Sequence, residues 1–433
     1  MARNKYDVDE VLEDKFDVNQ LKRLLAYLIP YRKRFVSVGF MMLSASAFTM
    51  LISTTIPIFF RSLAEQDVSA STASGIWALT TSVAVLILAV LSPFLGALAD
   101  YKGMKKKMFS LFLVVGVIGL LLLSFSGNWI SYMILFVITR IGYSACNIFY
   151  DSMLVDVTAD DRMDRISSYG YALGYIGSCI PFIIGILLIL VRPFGLSTQA
   201  ATQISFVITA LWWVGLTIPL LKNVHQTHYL ENRSNQVSHA LSRIGQTLKK
   251  IRKNPSVLYF IIAYFCYIDG VYTIISMATT YGGEVGISDT NMILALLLTQ
   301  FIAFPCAIFA GNLAEKVGTL KVIRVSILIY CGICIFGYQL DKAWEFWVLA
   351  VVVGMAQGGI QSLSRSYFGR LIPKNESNEY FGFFDIFGKF ADFFGPMIMS
   401  FCALVLGSST YGILGLLLLF VVGYVLLRKI PEK

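Results

Sequence analysis

The sequence predicts an all-α membrane protein, with twelve transmembrane helices in two pseudo-symmetric six-helix bundles. Three observations predict it. First, 57% of the 433 residues are hydrophobic and only 14% are charged, with a mean hydropathy of +0.70. That is too apolar for an ordinary soluble domain. Second, the apolar residues fall in runs that suit the roughly 20 residues a helix needs to cross a bilayer. Inside lipid every backbone N–H and C=O must be bonded within the protein, so such runs take the helical form. Third, a polar signature recurs half a chain apart, each time in a gap between apolar runs. Gly96-Ala97-Leu98-Ala99-Asp100-Tyr101-Lys102-Gly103 leads into Met104-Lys105-Lys106-Lys107. Gly311-Asn312-Leu313-Ala314-Glu315-Lys316-Val317-Gly318 leads into Thr319-Leu320-Lys321. Two related halves of apolar helices are a common architecture of secondary transporters.

The predicted spans run near residues 35–60, 75–99, 107–126, 129–154, 166–191 and 200–221, then near 255–281, 290–313, 320–340, 343–371, 378–406 and 408–428. Four regions follow: a cytosolic N-terminal segment (1–34), a first bundle (35–221), a polar cytosolic linker (222–254) and a second bundle (255–433). In the first segment Leu21, Leu24, Leu25, Leu28 and Ile29 share a helical face beside Lys22 and Arg23. This reads as an amphipathic helix lying on the inner leaflet. The apolar part begins too late for a cleavable signal peptide.

A net charge of +9 does not call for nucleic acid, because of how the charge is distributed. Lys and Arg crowd into the termini and the loops on one side of the predicted topology, whereas Arg61, Arg192 and Lys342 represent the other side. The positive-inside rule then puts both termini in the cytosol of a bacterial-type plasma membrane, with anionic headgroups balancing the base. All seven cysteines fall in predicted spans, where Cys331-x-x-Cys334 reads as small buried hydrophobes rather than metal ligands. The three histidines, His225, His228 and His239, lie in the linker. No nucleophile–base set is recognisable, and Gly388-Lys389 lacks the spacing and hydroxyl of a phosphate-binding loop. The sequence therefore predicts neither an enzyme nor a cofactor or metal site.

The loop signature resembles the loop between the second and third helices of the major facilitator superfamily and its echo in the second half. A sharper resemblance lies further on. Gly358-Gly359-Ile360-Gln361-Ser362-Leu363-Ser364-Arg365-Ser366 runs into Leu371-Ile372-Pro373, followed by Phe381-Gly382-Phe383-Phe384-Asp385-Ile386-Phe387-Gly388-Lys389 and Gly395-Pro396. With Asp269-Gly270-Val271-Tyr272 and Leu298-Thr299-Gln300-Phe301, this is similar to the vacuole-effluxer-like branch of the superfamily. That branch contains the autophagy-related amino-acid effluxers of fungi and many bacterial homologues. Its first helix usually carries an acid and an asparagine where this chain has Met42 and Ala45. The resemblance implies twelve helices and solute transport, with the first, fourth, seventh and tenth helices lining a central cavity.

Ionisable side chains within membrane spans are costly, so each is a candidate for function. Arg140, Asn147 and Asp151 share one face of the fourth span, and Gln357, Gln361 and Arg365 share one face of the tenth. Arg140, Asn147, Gln357, Gln361 and Lys389, with Tyr264, Tyr267 and Tyr272 around Asp269, are the predicted cavity or substrate contacts. Asp269, Asp385 and Asp392 are the predicted proton-coupling acids; Asp385, Lys389 and Asp392 stack on one helical face. Aligning the halves by the repeat matches Asp151 with Arg365 and Asp156 with Arg370, which suggests acid facing base across the halves. These four, with Gly96, Asp100, Gly103, Lys105, Gly311, Glu315 and Gly318, form the predicted gate. Asp100 is expected to meet a helix N-terminus or a neighbouring base, and Lys105 to Lys107 to face headgroups.

The function expected is alternating-access transport of a small polar solute, coupled to protons, by a monomer in the lipid bilayer; the resemblance implies an amino acid or related metabolite as solute and efflux as direction. Two alternatives are a lipid or lysolipid translocator of the same fold and a non-transporting membrane sensor.

Overall fold

The structure, a computed structural model, describes Phe48, Leu51 and residues 55–232, 235–284, 286–340, 342–406 and 410–430. The N-terminal amphipathic segment, most of the first predicted span and the Met42 and Ala45 positions lie outside the described residues. Helix α1 (Thr55–Ala64) precedes α2 (Ala70–Ala99), α3 (Met104–Phe125), α4 (Trp129–Ser152), α5 (Met163–Val191) and α6 (Thr198–Asn223). After the linker come α7 (Pro255–Glu284), α8 (Asp289–Val317), α9 (Thr319–Gly337), α10 (Ala343–Leu371), α11 (Ser377–Leu406) and α12 (Thr410–Arg428). Among the described residues ten helices are long and apolar enough to cross a membrane; α11, at 30 residues, is not among those ten.

Local chemistry sets the helix starts. The Ser69 hydroxyl accepts from the Thr72 N–H at 3.3 Å, the Asn128 side chain from the Ile130 N–H at 2.7 Å, and the Ser197 hydroxyl from the Ala200 N–H at 3.1 Å. Each satisfies an orphan donor of α2, α4 or α6. Prolines sit inside five helices (Pro93, Pro181, Pro219, Pro305 and Pro396), as membrane helices tolerate when neighbours resatisfy the freed carbonyls.

Each half has its own core. The first packs Trp213 against Phe48 and Tyr143, and the second stacks Tyr330 on Phe420 at 5.2 Å. Leu79, Val90, Leu190 and Leu404 stand exposed on the perimeter, which suits lipid rather than water. The halves meet mainly along α2 with α11 and α5 with α8.

The linker is more than a solvated connector. Residues Gln236–Lys253 form a helix, here the linker helix, and the segment ahead of it is pinned at Leu230 to the α2–α3 turn. The Leu230 N–H donates to the Asp100 carbonyl at 2.8 Å and the Lys102 N–H to the Leu230 carbonyl at 3.0 Å. The face of the molecule that carries this segment is called the linker face below.

Candidate functional site between the halves

Asp100 sits at the C-terminal end of α2, fully buried, against the first turn of α11. Its Oδ1 accepts from the Asn378 backbone N–H and Nδ2, both at 2.9 Å, and its Oδ2 from the Glu379 N–H at 3.3 Å. An acid here satisfies orphan donors and meets the positive end of the helix dipole. The approach needs Gly96, because a Cβ there would stand 2.2 Å from the Asn378 carbonyl oxygen. From the linker helix, buried Arg243 reaches Asp100 Oδ2 at 3.1 Å and also pairs with Glu379. Burial raises the Asp100 carboxyl to about 6 from 3.8, against the lowering pull of Arg243 and Asn378. Burial opposes the Arg243 charge, but the two acids outweigh it and hold its pKa above the ordinary value.

A related socket lies where α5 meets α8. Gly311 packs on α5, where an added Cβ would meet Ser168 Cβ at 2.5 Å. Asp164, in the first turn of α5, is 2% exposed. It accepts from Thr319 Oγ1 at 2.6 Å, from Arg370 Nη1 and Nη2 at 2.9 and 2.8 Å, and from the Ser366 hydroxyl. Glu315, the counterpart of Asp100, is exposed instead. Gly103 and Gly318 close the two turns with φ of 74° and 100°. Gly96→Val and Gly311→Val should each prise the helices apart and destabilise the fold by about 1–3 kcal/mol. Thermal unfolding of the purified protein in detergent reads this as a lowered Tm.

Between the sockets Arg365 of α10 crosses to α4. Its Nη1 lies 3.0 Å from Asp151 Oδ1, and the side chain is 1% exposed. Nε donates to Ser167 Oγ at 3.0 Å, and the guanidinium lies 4.8 Å from the Tyr171 ring and 5.2 Å from the Tyr150 ring. The Ser152 hydroxyl also bonds Asn378 across the halves.

Asp156 and Arg370 do not pair with each other. Asp156 takes buried Lys105, with the Thr227 and His228 N–H groups at 2.9 and 3.0 Å, whereas Arg370 goes to Asp164. The first repeat turn supplies Lys105 to Asp156, and Asp164 with Thr319 of the second repeat turn draws Arg370 away. Lys105, expected among headgroups, points inward at 1% exposure because Asp156 and the Ser152 carbonyl draw it in. Lys107 is exposed.

Farther from the linker face, Asp385 accepts from the Ser92 hydroxyl at 2.9 Å and stands 3.7 Å from Lys389, each 16% exposed. Tyr175 of α5 donates to Gln361 of α10 at 2.8 Å. Arg140 and Asn147 are half-buried, the Arg140 guanidinium 5.9 Å from the Phe136 ring. Tyr264 stacks on Phe384 at 3.9 Å, Tyr267 bonds Ser364 at 2.6 Å, and Tyr272 is half-buried. Asp269 is 1% exposed and accepts from the Gly395 N–H at 2.8 Å. The Asp392 side chain lies outside the described residues.

A cavity of about 100 Å³ opens inside the second half, lined by residues of α7 to α12. Its wall is largely apolar, but Gln357 Oε1 and Thr273 Oγ1 line it without a hydrogen-bond partner. A Cβ at Gly395 would meet both Thr273 Oγ1, at 1.7 Å, and Asp269 Oδ1, at 2.8 Å, so the two oxygens are neighbours.

Residues 67–433 match the family described as Vacuole effluxer Atg22 like. The chain belongs to the Atg22-like vacuole effluxer family. An uncharacterized MFS-type transporter of Bacillus subtilis, YxiO, is 43% identical over 90% of this chain and 92% of its own length. Autophagy-related protein 22-1 of Penicillium rubens is 28% identical over 54% of this chain and 43% of its own. This chain therefore spans less than half of that fungal relative. Among solved structures, the proton:xylose symporter XylE superposes with a TM-score of 0.73 at 12% identity, covering 94% of this chain and 97% of its own. FucP in its outward conformation gives 0.66 at 14%, covering 94% and 100%. The fold is that of the major facilitator superfamily, and the chain is a multi-pass membrane transporter, not an enzyme.

Sequence reasoning missed several residues of this Atg22-like site. Arg243 was hidden in a polar linker without a membrane signal. Asp164 and Glu379 stand at the same separation along the chain as Asp100 and Glu315, so carrying the repeat alignment into the fifth and eleventh helices finds both.

Proposed function

We propose that this chain moves a small polar solute by alternating access, coupled to protons, with the linker face in the cytosol. The described conformation is then the one closed to the cytosol. The observation that carries this reading is the buried polar seam across the halves: Asp100 with Asn378 and Arg243, Asp164 with Arg370, and Asp151 with Arg365. Charged side chains seal a face reversibly at modest net stability, because their desolvation cost offsets much of their attraction. Rim pairs such as Lys374–Asp160, at 2.6 Å, contribute little. The gating set is thus Asp100, Asp151, Asp164, Arg243, Arg365 and Arg370, with Gly96 and Gly311 permitting close approach.

Asp385 and Lys389 offer a carboxylate and an ammonium side by side, partly exposed, to a solute carrying both charges. This favours an amino acid or related zwitterion. Asp269 is the proton-coupling acid in this reading: it is buried, holds one backbone donor, and neighbours the unpartnered Thr273 hydroxyl at the cavity wall. Asp269→Asn should abolish accumulation driven by a pH gradient while sparing exchange of solute against solute, as expected when an intramembrane acid carries the proton. Gradient-driven uptake at the parental rate in that variant removes Asp269 from the role. The test of the whole reading is a panel of radiolabelled amino acids and organic acids offered to proteoliposomes with and without a pH gradient. No solute-dependent flux across the panel would sink it.

A further inference from the structure

The linker helix shows a surface that the transport reading does not use. Its buried face (Ala240, Arg243, Thr247 and Ile251) lies against the bundle. Beside it Val237, Leu241 and Leu248 form a stripe at helical spacing, 56%, 56% and 41% exposed. Past the stripe come Lys249, Arg252 and Lys253, all exposed. The helix contains no Asp or Glu. Such apolar residues are ordinary on a membrane span but out of place on a polar segment with two faces already distinguished.

The height of the helix supplies the context. Arg243 Nη1 reaches the Ala97 carbonyl in the last turn of α2 at 3.4 Å, and the chain passes through Asn254 directly into α7. The helix therefore lies where two spans leave the bilayer, at headgroup depth. An apolar stripe flanked by uncompensated base is the pattern that enters an anionic interface, by apolar burial plus attraction to phosphate.

We infer that the linker helix is a docking surface for anionic phospholipid of the adjoining leaflet, with Val237, Leu241 and Leu248 entering the interface and Lys249, Arg252 and Lys253 meeting headgroup phosphates. The same helix carries Arg243 on its other face, so the lipid bears on the residue that joins Asp100 to Glu379.

Hydrogen exchange of the full chain tests this, in nanodiscs of phosphatidylcholine alone and of phosphatidylcholine with phosphatidylglycerol. Amides of 236–253 should exchange roughly tenfold more slowly in the anionic bilayer. Peptides from α6 and α12 serve as controls that should not change. The triple variant Lys249→Gln, Arg252→Gln, Lys253→Gln should erase the difference and match the parent in neutral lipid. Removing residues 1–34 should leave the lipid effect intact. Equal exchange in both bilayers overturns the proposal, as does a lipid effect that survives the triple variant. Loss of the effect on removing residues 1–34 would also overturn it, by assigning the stripe to that segment.

Discussion

Asp151→Arg is expected to abolish transport, and adding Arg365→Asp to the same chain is expected to restore part of it. In the single variant two guanidiniums face each other at a site where Arg365 is 1% exposed and cannot turn to water. Breaking a buried pair by removing one partner costs about 3–5 kcal/mol. Each 1.4 kcal/mol is roughly tenfold in an equilibrium, so the closed arrangement loses roughly two or more powers of ten in population. The double swap restores opposite charge but not the setting. Ser167 Oγ and the rings of Tyr150 and Tyr171 are placed for a cation at position 365, so a recovery of about a tenth of the parental rate is the expected ceiling. Proteoliposome flux with the solute found in the panel measures it, with size-exclusion profiles showing that each variant folds. Equal loss in both single variants with no gain in the double would count against the pair as a latch.

Arg243→Ala is expected to open the linker face. It leaves the Asp100 and Glu379 carboxylates together without their shared base, again a change of about 3–5 kcal/mol. Spin labels placed on the linker-face ends of α2 and α11 should show, by pulsed distance measurement, a longer population that is minor in the parent. The same cluster sets a sign for pH. Burial pushes the Asp100 carboxyl up to about 6 in the closed form from an ordinary 3.8. Once solvated in the open form, it releases a proton that the closed form keeps. Between those values the closed form binds more protons, so acidification from pH 7 to 5 favours closure, and that contribution is lost as pH rises through 6. A longer distance growing on acidification of the parent would contradict this.

The fold was legible because bilayer physics writes it coarsely: long apolar runs, prolines tolerated within them, and a repeated Gly-x-Leu-Ala-acid turn. The tenth predicted span, 343–371, coincides with α10, and the fifth, 166–191, falls short of α5 only by its polar first turn. The geometry around Asp100 and the Asp151–Arg365 contact was legible for a related reason, since charge in an apolar helix stands out and the repeat pairs it. The separate partners of Asp156 and Arg370 were not, because an inverted charge at matched positions does not say which neighbour is nearest. Lys105 was misplaced by logic that suits exposed Lys107: a lysine beside two others reads as surface until a buried acid on another helix is known. The linker helix carried its signal in amphipathic spacing, which polar composition obscured.

The two sockets are built alike but staffed differently. Asp164 is answered by Arg370 from the opposite bundle, whereas Glu379 is answered by Arg243 from the segment that ties the bundles together. A chain severed at 231–235 would leave Arg243 joined to the second bundle through Asn254, so its bond to Glu379 would stay within one fragment, whereas the Asp164–Arg370 bond would have to re-form between two. The connecting helix thus belongs to the second fragment and carries Arg243 across to Asp100 of the first.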